Sequence, residues 1–178
     1  MKAKLLGFLF LLSCSAQREN KDVVQMRQQL PQIETPIEFN SDGKLKYKAI
    51  DMEGNELIKK LIDRNSFSLL GKIFETEDNI TILGYAPGDI ASPILITFDN
   101  QGNEINTHKM FESAKTDMGR YTSNIVVIQP DRMILFTDST SVRKINTEGT
   151  DEIAGTDSVY VTHKRYRISN SGSIDSVE

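Results

Sequence analysis

Asn124-Ile125-Val126-Val127-Ile128, then Gln129-Pro130-Asp131-Arg132, then Met133-Ile134-Leu135-Phe136 is the stretch that decides the fold. Two apolar runs rich in branched residues flank four polar residues that include a proline. Runs this short suit strands rather than helices, and the polar gap between them suits a turn. The segment predicts an antiparallel hairpin. Downstream, Val159-Tyr160-Val161-Thr162 continues into Tyr166-Arg167-Ile168 and predicts a further strand. Upstream, Ile80-Thr81-Ile82-Leu83 and Ile94-Leu95-Ile96-Thr97-Phe98 are apolar runs bounded by turn residues. Leu45, Tyr47 and Ala49 alternate with Lys46 and Lys48, the pattern of a strand with one wet face. These spacings suit antiparallel strands, not βαβ units.

A local pattern punctuates the runs. Phe39-Asn40-Ser41-Asp42-Gly43, Ile50-Asp51-Met52-Glu53-Gly54, Phe98-Asp99-Asn100-Gln101-Gly102, Ile145-Asn146-Thr147-Glu148-Gly149 and Ile168-Ser169-Asn170-Ser171-Gly172 share one form. An apolar residue ends a strand, and glycine follows four positions later. Glycine accepts the left-handed conformation that closes a short hairpin loop. At larger scale, residues 67–108 and 121–177 each read as a four-stranded meander, similar to a propeller blade. Two blades do not close a propeller. The expectation is a mainly β chain of antiparallel meander sheets, arranged as a curled sheet, a sandwich or an open barrel. One helix is expected over 55–64, where Leu57, Ile58, Leu61 and Ile62 share a face, Asn55 caps, and Glu56 lies four residues before Lys60. A second short helix is expected near 111–115.

The N-terminus carries a different signal. Lys2 and Lys4 precede an apolar run from Leu5 to Leu12, followed by Ser13 and Cys14. A basic start, an apolar run and a small residue make a secretion signal over 1–13. The run is shorter than the roughly 20 residues that span a bilayer. Leu11-Leu12-Ser13-Cys14 looks like the lipobox of bacterial lipoproteins, and Cys14 is the single cysteine of the chain. That resemblance implies a triacylated, palmitate-bearing Cys14 as the first mature residue and a stable membrane anchor. The alternative is a free thiol in a signal peptide cut elsewhere. Residues 14–32 read as the lipidated cysteine and a polar tether, in which Val23, Val24 and Met26 form at most one helical turn. Pro31 and Pro36 bias the entry segment towards extended chain. Residues 33–178 then form a single β-rich domain.

Taken together, the lipobox, the tether and strands closing on turns such as Asn170-Ser171-Gly172 resemble the small β-rich lipoproteins of Gram-negative envelopes. The resemblance implies a location and no known activity, so no functional residue carries over. Ser15 stands where an aspartate retains some lipoproteins at the inner membrane, which favours the outer membrane. Either leaflet, periplasmic or surface, remains open.

Charge and residue types exclude several classes. The chain has a net charge of −4 and a sequence pI near 5.3, against the basic face that nucleic acid requires. With Cys14 lipidated, no thiol is left for a disulfide, a zinc site or a nucleophile. No cofactor or metal motif is expected. Asp99-Asn100-Gln101-Gly102-Asn103-Glu104 lacks the alternating acids of a calcium loop and reads as a turn. Gly84-Tyr85-Ala86-Pro87-Gly88 lacks the Lys-Ser/Thr of a phosphate loop. Ser141-Val142-Arg143-Lys144 matches Ser-x-x-Lys by letter only, because it lies in or beside a strand and has no partner motifs.

The candidate ligand residues are Tyr85, in its Gly-Pro loop, Tyr121, His163 and Arg165. His163 and Arg165 belong to Thr162-His163-Lys164-Arg165-Tyr166-Arg167, either a patch that grips an anion or a sugar or a solvated strand face. The tyrosines offer stacking surface or core packing, and the absence of Trp weakens any sugar platform. Glu75, Glu77 and Asp78, and Asp151, Glu152 and Asp157, are carboxylate clusters that surface solvation explains as readily as glycoside hydrolysis. The leading expectation is a lipid-anchored envelope binding or accessory protein that presents its β-domain to a protein or glycan. The alternatives are a structural or protective subunit of an envelope complex and a carboxylate-dependent glycan hydrolase.

Overall fold

The computed structural model describes residues 19–42, 47–86, 91–111 and 117–177. It is mainly β, with two antiparallel sheets and two helices. The first sheet is a meander in the order β2 (Ser68–Glu75), β3 (Asn79–Ala86), β4 (Ser92–Asp99) and β5 (Glu104–Lys109). The second has the order β1 (Ile37–Asn40), β6 (Arg120–Ile128), β7 (Met133–Val142), β8 (Ser158–Ile168) and β9 (Ile174–Val177). The two meanders fall where the sequence places them, and β1 extends the second. They form neither a single curled sheet nor, among the described residues, a closed barrel.

The layering explains the sequence runs. Helices α1 (Lys21–Gln29) and α2 (Glu56–Asn65) contribute Val23, Met26, Ile58 and Leu61 to a core against Leu69, Ile80, Ile82, Ile94, Ile96 and Phe98 of the first sheet. Leu70, Ile73, Leu83 and Leu95 point the other way and join Val126, Ile128, Ile134 and Ile168 of the second sheet in a second core. Strands β3 and β4 are thus covered on both faces, so they read as continuous apolar runs. Their inward hydroxyls satisfy each other, with Thr81 Oγ1 and Thr97 Oγ1 3.0 Å apart. Strand β6 has only one covered face over most of its length and shows the alternation that goes with it.

The deciding hairpin forms, with Ile128 opposite Ile134 and Val126 opposite Phe136. The Gln129 N–H donates to the Met133 carbonyl at 2.8 Å, and the Arg132 N–H to the Gln129 carbonyl at 3.1 Å. Arg132 takes the left-handed conformation, with φ 66°. The loops at Asp99 and Ser169 close through the same pair of hydrogen bonds, with Gly102 (φ 82°) and Gly172 (φ 89°) in the equivalent place. Helix α2 is capped as read: Asn55 Oδ1 accepts from the Ile58 N–H at 3.0 Å.

Two expectations need correction, and a third lies almost wholly outside the described residues. The segment read as tether to residue 32 contains α1, whose Val23 and Met26 are 0% exposed and face the first sheet. Few apolar residues suffice here because Val23, Met26 and Leu30 line one helical stripe. The polar residues are also engaged: Arg27 bonds Glu75 Oε1 at 2.9 Å and the Thr76 carbonyl at 2.7 Å. The packed part of the chain therefore reaches back to Asn20, whose side chain caps α1 and donates to the Gln101 carbonyl at 3.1 Å. Of the strand expected around 45–49, Leu45 and Lys46 lie outside the described residues, and 47–49 are not strand. Tyr47 instead rests on Phe39, ring centroids 5.9 Å apart, so its contact is local rather than a ladder. The helix expected near 111–115 falls, apart from Phe111, outside the described residues; Phe111 is buried and irregular.

Candidate ligand cleft

Beyond the second core the two sheets part. β5 and the following chain line one side, and the inward face of β6, β7 and β8 forms the floor of a cleft of about 250 Å³. Strand periodicity fixes which residues reach it. In β8, buried Ile168 sets the parity, so Tyr166 and Lys164 face the cleft while Arg165 and His163 face away. In β7 the same parity brings Ile134, Phe136, Asp138 and Thr140 to the floor, and β6 contributes Arg120, Thr122 and Asn124. The floor grades from apolar at Ile134 and Phe136 to polar at Asp138 and Thr140.

The polar end is a connected hydroxyl–carboxylate ladder. Thr122 and Thr140 are cross-strand partners with their Oγ1 atoms 3.1 Å apart. Thr140 Oγ1 donates to Asp138 Oδ1 at 3.1 Å. Asn124 is the cross-strand partner of Asp138. Its side chain is 3% exposed, yet its Nδ2 has no hydrogen-bond partner among the described residues. An unsatisfied buried donor costs about 1–3 kcal/mol. Aromatic surface lies alongside: the His108 ring is tilted against Tyr166 with centroids 4.8 Å apart. Lys164 Nζ stands 5.8 Å from the Phe136 centroid. Lys109, Arg120 and Lys164 bring three cations to the rim against the one carboxylate of Asp138, in a chain of net charge −4.

The four residues singled out from sequence are not brought together. Tyr85 lies between the sheets and packs against the second core. Tyr121 is on the outward face of β6, 46% exposed. Its phenol bonds the Asp42 carboxylate, which raises its pKa above the ordinary tyrosine value. His163 and Arg165 share that outward face on β8, with β7 between them and Tyr121. His163 Nδ1 is 3.1 Å from Thr137 Oγ1. The basic-aromatic run of β8 therefore splits by parity. The cleft receives Lys164 and Tyr166, and the buried Ile168 next in register was the signal that could have assigned them.

Three members of the carboxylate clusters, Glu75, Glu152 and Asp157, are tied to cations, and Glu152 and Asp157 line a separate open pocket with Asp117 and Arg143. Glu75 bonds Lys72 Nζ at 2.7 Å and Arg27 at 2.9 Å. Burial pushes its pKa up, but the hydrogen bonds and charges of Lys72 and Arg27 together hold it below the usual 4.5. Glu152 and Asp157 both pair with Arg143, at 2.9 and 2.7 Å. The Asp99 carboxylate accepts from the Gln101 and Asn103 N–H groups at 2.9 and 2.8 Å, so that loop is a self-closed turn. Among the described residues no group of three or more His, Cys, Asp or Glu is placed to hold a metal. No described helix is long and apolar enough to cross a membrane, and the segment 1–18 with Cys14 lies outside the described residues.

No protein-family model matches the chain, nor does any curated protein or solved structure compared with it.

Proposed function

We propose that this chain is a lipid-anchored envelope binding module whose ligand seat is the cleft between its two sheets. The observation that carries the reading is Asn124: a buried amide donor without a partner among the described residues, beside the Asp138 carboxylate, in a cavity walled by aromatic and cationic side chains. Ligand sites are concave, partly apolar and furnished with a few convergent polar groups. A glycan or peptide end that bonds Asn124 Nδ2 removes the cost of leaving it unsatisfied. The described lining supplies one carboxylate, Asp138, whereas glycoside hydrolysis ordinarily uses two, so binding is favoured over hydrolysis. The anchor rests on Leu11-Leu12-Ser13-Cys14, and Cys14→Ala is expected to abolish lipid labelling and release the protein from membranes.

The test of the cleft is protein-detected NMR with a set of saccharides and peptide ends. Ligand-dependent shifts are expected at His108, Asn124, Asp138 and Tyr166, and Asp138→Leu is expected to remove them. Shifts confined to other surfaces, or none, overturn the reading. One observation favours a second role, as subunit of an envelope assembly. Strand β8 is paired with β9 only at 165–168, so its edge over 158–164 is bare among the described residues.

A further inference from the structure

The cleft's chemistry narrows the ligand further. Its floor strand, β7, is hydrogen-bonded to β6 on one side and to β8 on the other along its length. The floor therefore offers no backbone to an extended peptide, and the open edges of β5 and of β8 over 158–164 border the cleft without flooring it. The available groups are side chains of three kinds, arranged in order. Tyr166 and Phe136 offer aromatic surface. Asn124 and Asp138, a cross-strand pair, offer one donor and one acceptor side by side. Adjacent hydroxyls of a sugar ring complement such a pair, one accepting from the amide and one donating to the carboxylate. Lys109, Arg120 and Lys164 stand at the rim, and none forms an ion pair with a described residue. A neutral sugar leaves these three cations without a counterpart.

We infer that the cleft takes an acidic sugar: a pyranose ring against Tyr166 and Phe136, hydroxyls on Asn124 and Asp138, and a ring carboxylate turned to Lys164, with Lys109 and Arg120 adding positive charge at the rim. The inference rests on the cleft being the ligand seat. A volume of about 250 Å³ suits a single sugar unit, such as the end of a glycan chain.

The experiment compares D-glucuronate, D-glucose and acetate by NMR titration of the folded protein, for wild type and for the Arg120→Gln/Lys164→Met double variant. Both substituted side chains are exposed, so the fold should tolerate them. Glucuronate is expected to bind at least about tenfold more tightly than glucose, the scale of one charge-assisted hydrogen bond. The double variant is expected to lose that preference, its glucuronate affinity falling to the level of its glucose affinity, while resonances remote from the cleft stay in place. Equal affinity for glucuronate and glucose overturns the acidic assignment and leaves the cleft reading standing. Acetate binding as tightly as glucuronate overturns the sugar assignment. If no cleft resonance moves with any of the three, or with the wider ligand set above, the cleft reading falls with the inference.

Discussion

Asn55 shows how much one buried side chain does in this fold. Its Oδ1 accepts from the Ile58 N–H and caps α2, while its Nδ2 donates to the Asp22 carbonyl at 2.9 Å and reaches Gln25 Oε1 at 3.2 Å. The residue is 1% exposed, so one amide joins the starts of both helices out of reach of water. Asn55→Ala removes a cap, about 1 kcal/mol, and leaves buried groups unsatisfied, at least about 1 kcal/mol more. A loss near 2 kcal/mol is expected in denaturant melts. Asn55→Asp keeps the cap acceptor and loses the donor, so its destabilisation tests the tie to α1 separately. The cap was legible in sequence, because Asn precedes a run with helical periodicity. The bond to Asp22 was not, since nothing local marks a contact between residues 33 apart.

At the scale of elements, α1 is where composition misleads. Its sequence, KDVVQMRQQ, is polar overall, and a polar average predicts a solvated tether. What docks it is a stripe, Val23, Met26 and Leu30, combined with polar ties from Arg27 to the first sheet. Averages erase a stripe that narrow. Met26 is fully buried, so Met26→Ala is expected to cost about 2–5 kcal/mol, readable as a shifted denaturant midpoint. A tether residue would cost nothing measurable.

The same helix carries a pH dependence. Glu75 holds Arg27 of α1 together with Lys72 of β2, and its pKa is lowered on folding. A carboxylate with a depressed folded pKa contributes stability above its unfolded pKa and loses it as pH falls through the folded value. Glu75→Gln should therefore melt below wild type at pH 6, and the gap should close once the pH is well below 4.5. A gap that persists unchanged at pH 3 would show that the ion pairs do not couple α1 to the sheet. The strand elements were more legible than α1, because their apolar runs are continuous where both faces are covered and alternate where one is.

At the scale of the whole molecule, the second sheet outruns the first. The apolar overlap ends near Val126 and Phe136, and the far ends of β7 and β8 project past it, forming the cleft floor and then open surface. Two meanders were readable from strand spacing; their face-to-face offset was not, because no sequence period encodes how far two sheets overlap. The cleft arises from that offset, so its residues could be ordered by parity but not gathered by sequence alone. Val159 and Tyr160 are 62% exposed and Val161 50% exposed on the edge of β8 that no described strand pairs. An uncovered, apolar, β-branched edge is a template for pairing with another strand. A second copy complements it: an antiparallel register centred on Val161 pairs 158–164 of one copy with 158–164 of the other and sets Val159 across from His163. Reversible, concentration-dependent dimerisation is therefore expected in sedimentation velocity. Val161→Lys places a charge at the centre of that register and should abolish the dimer. It should shift the monomer's own stability by no more than about 0.5 kcal/mol, as for an ordinary surface substitution. A wild type that stays monomeric at high concentration, or a Lys variant that dimerises as well as wild type, would mean that β8 is not the pairing edge.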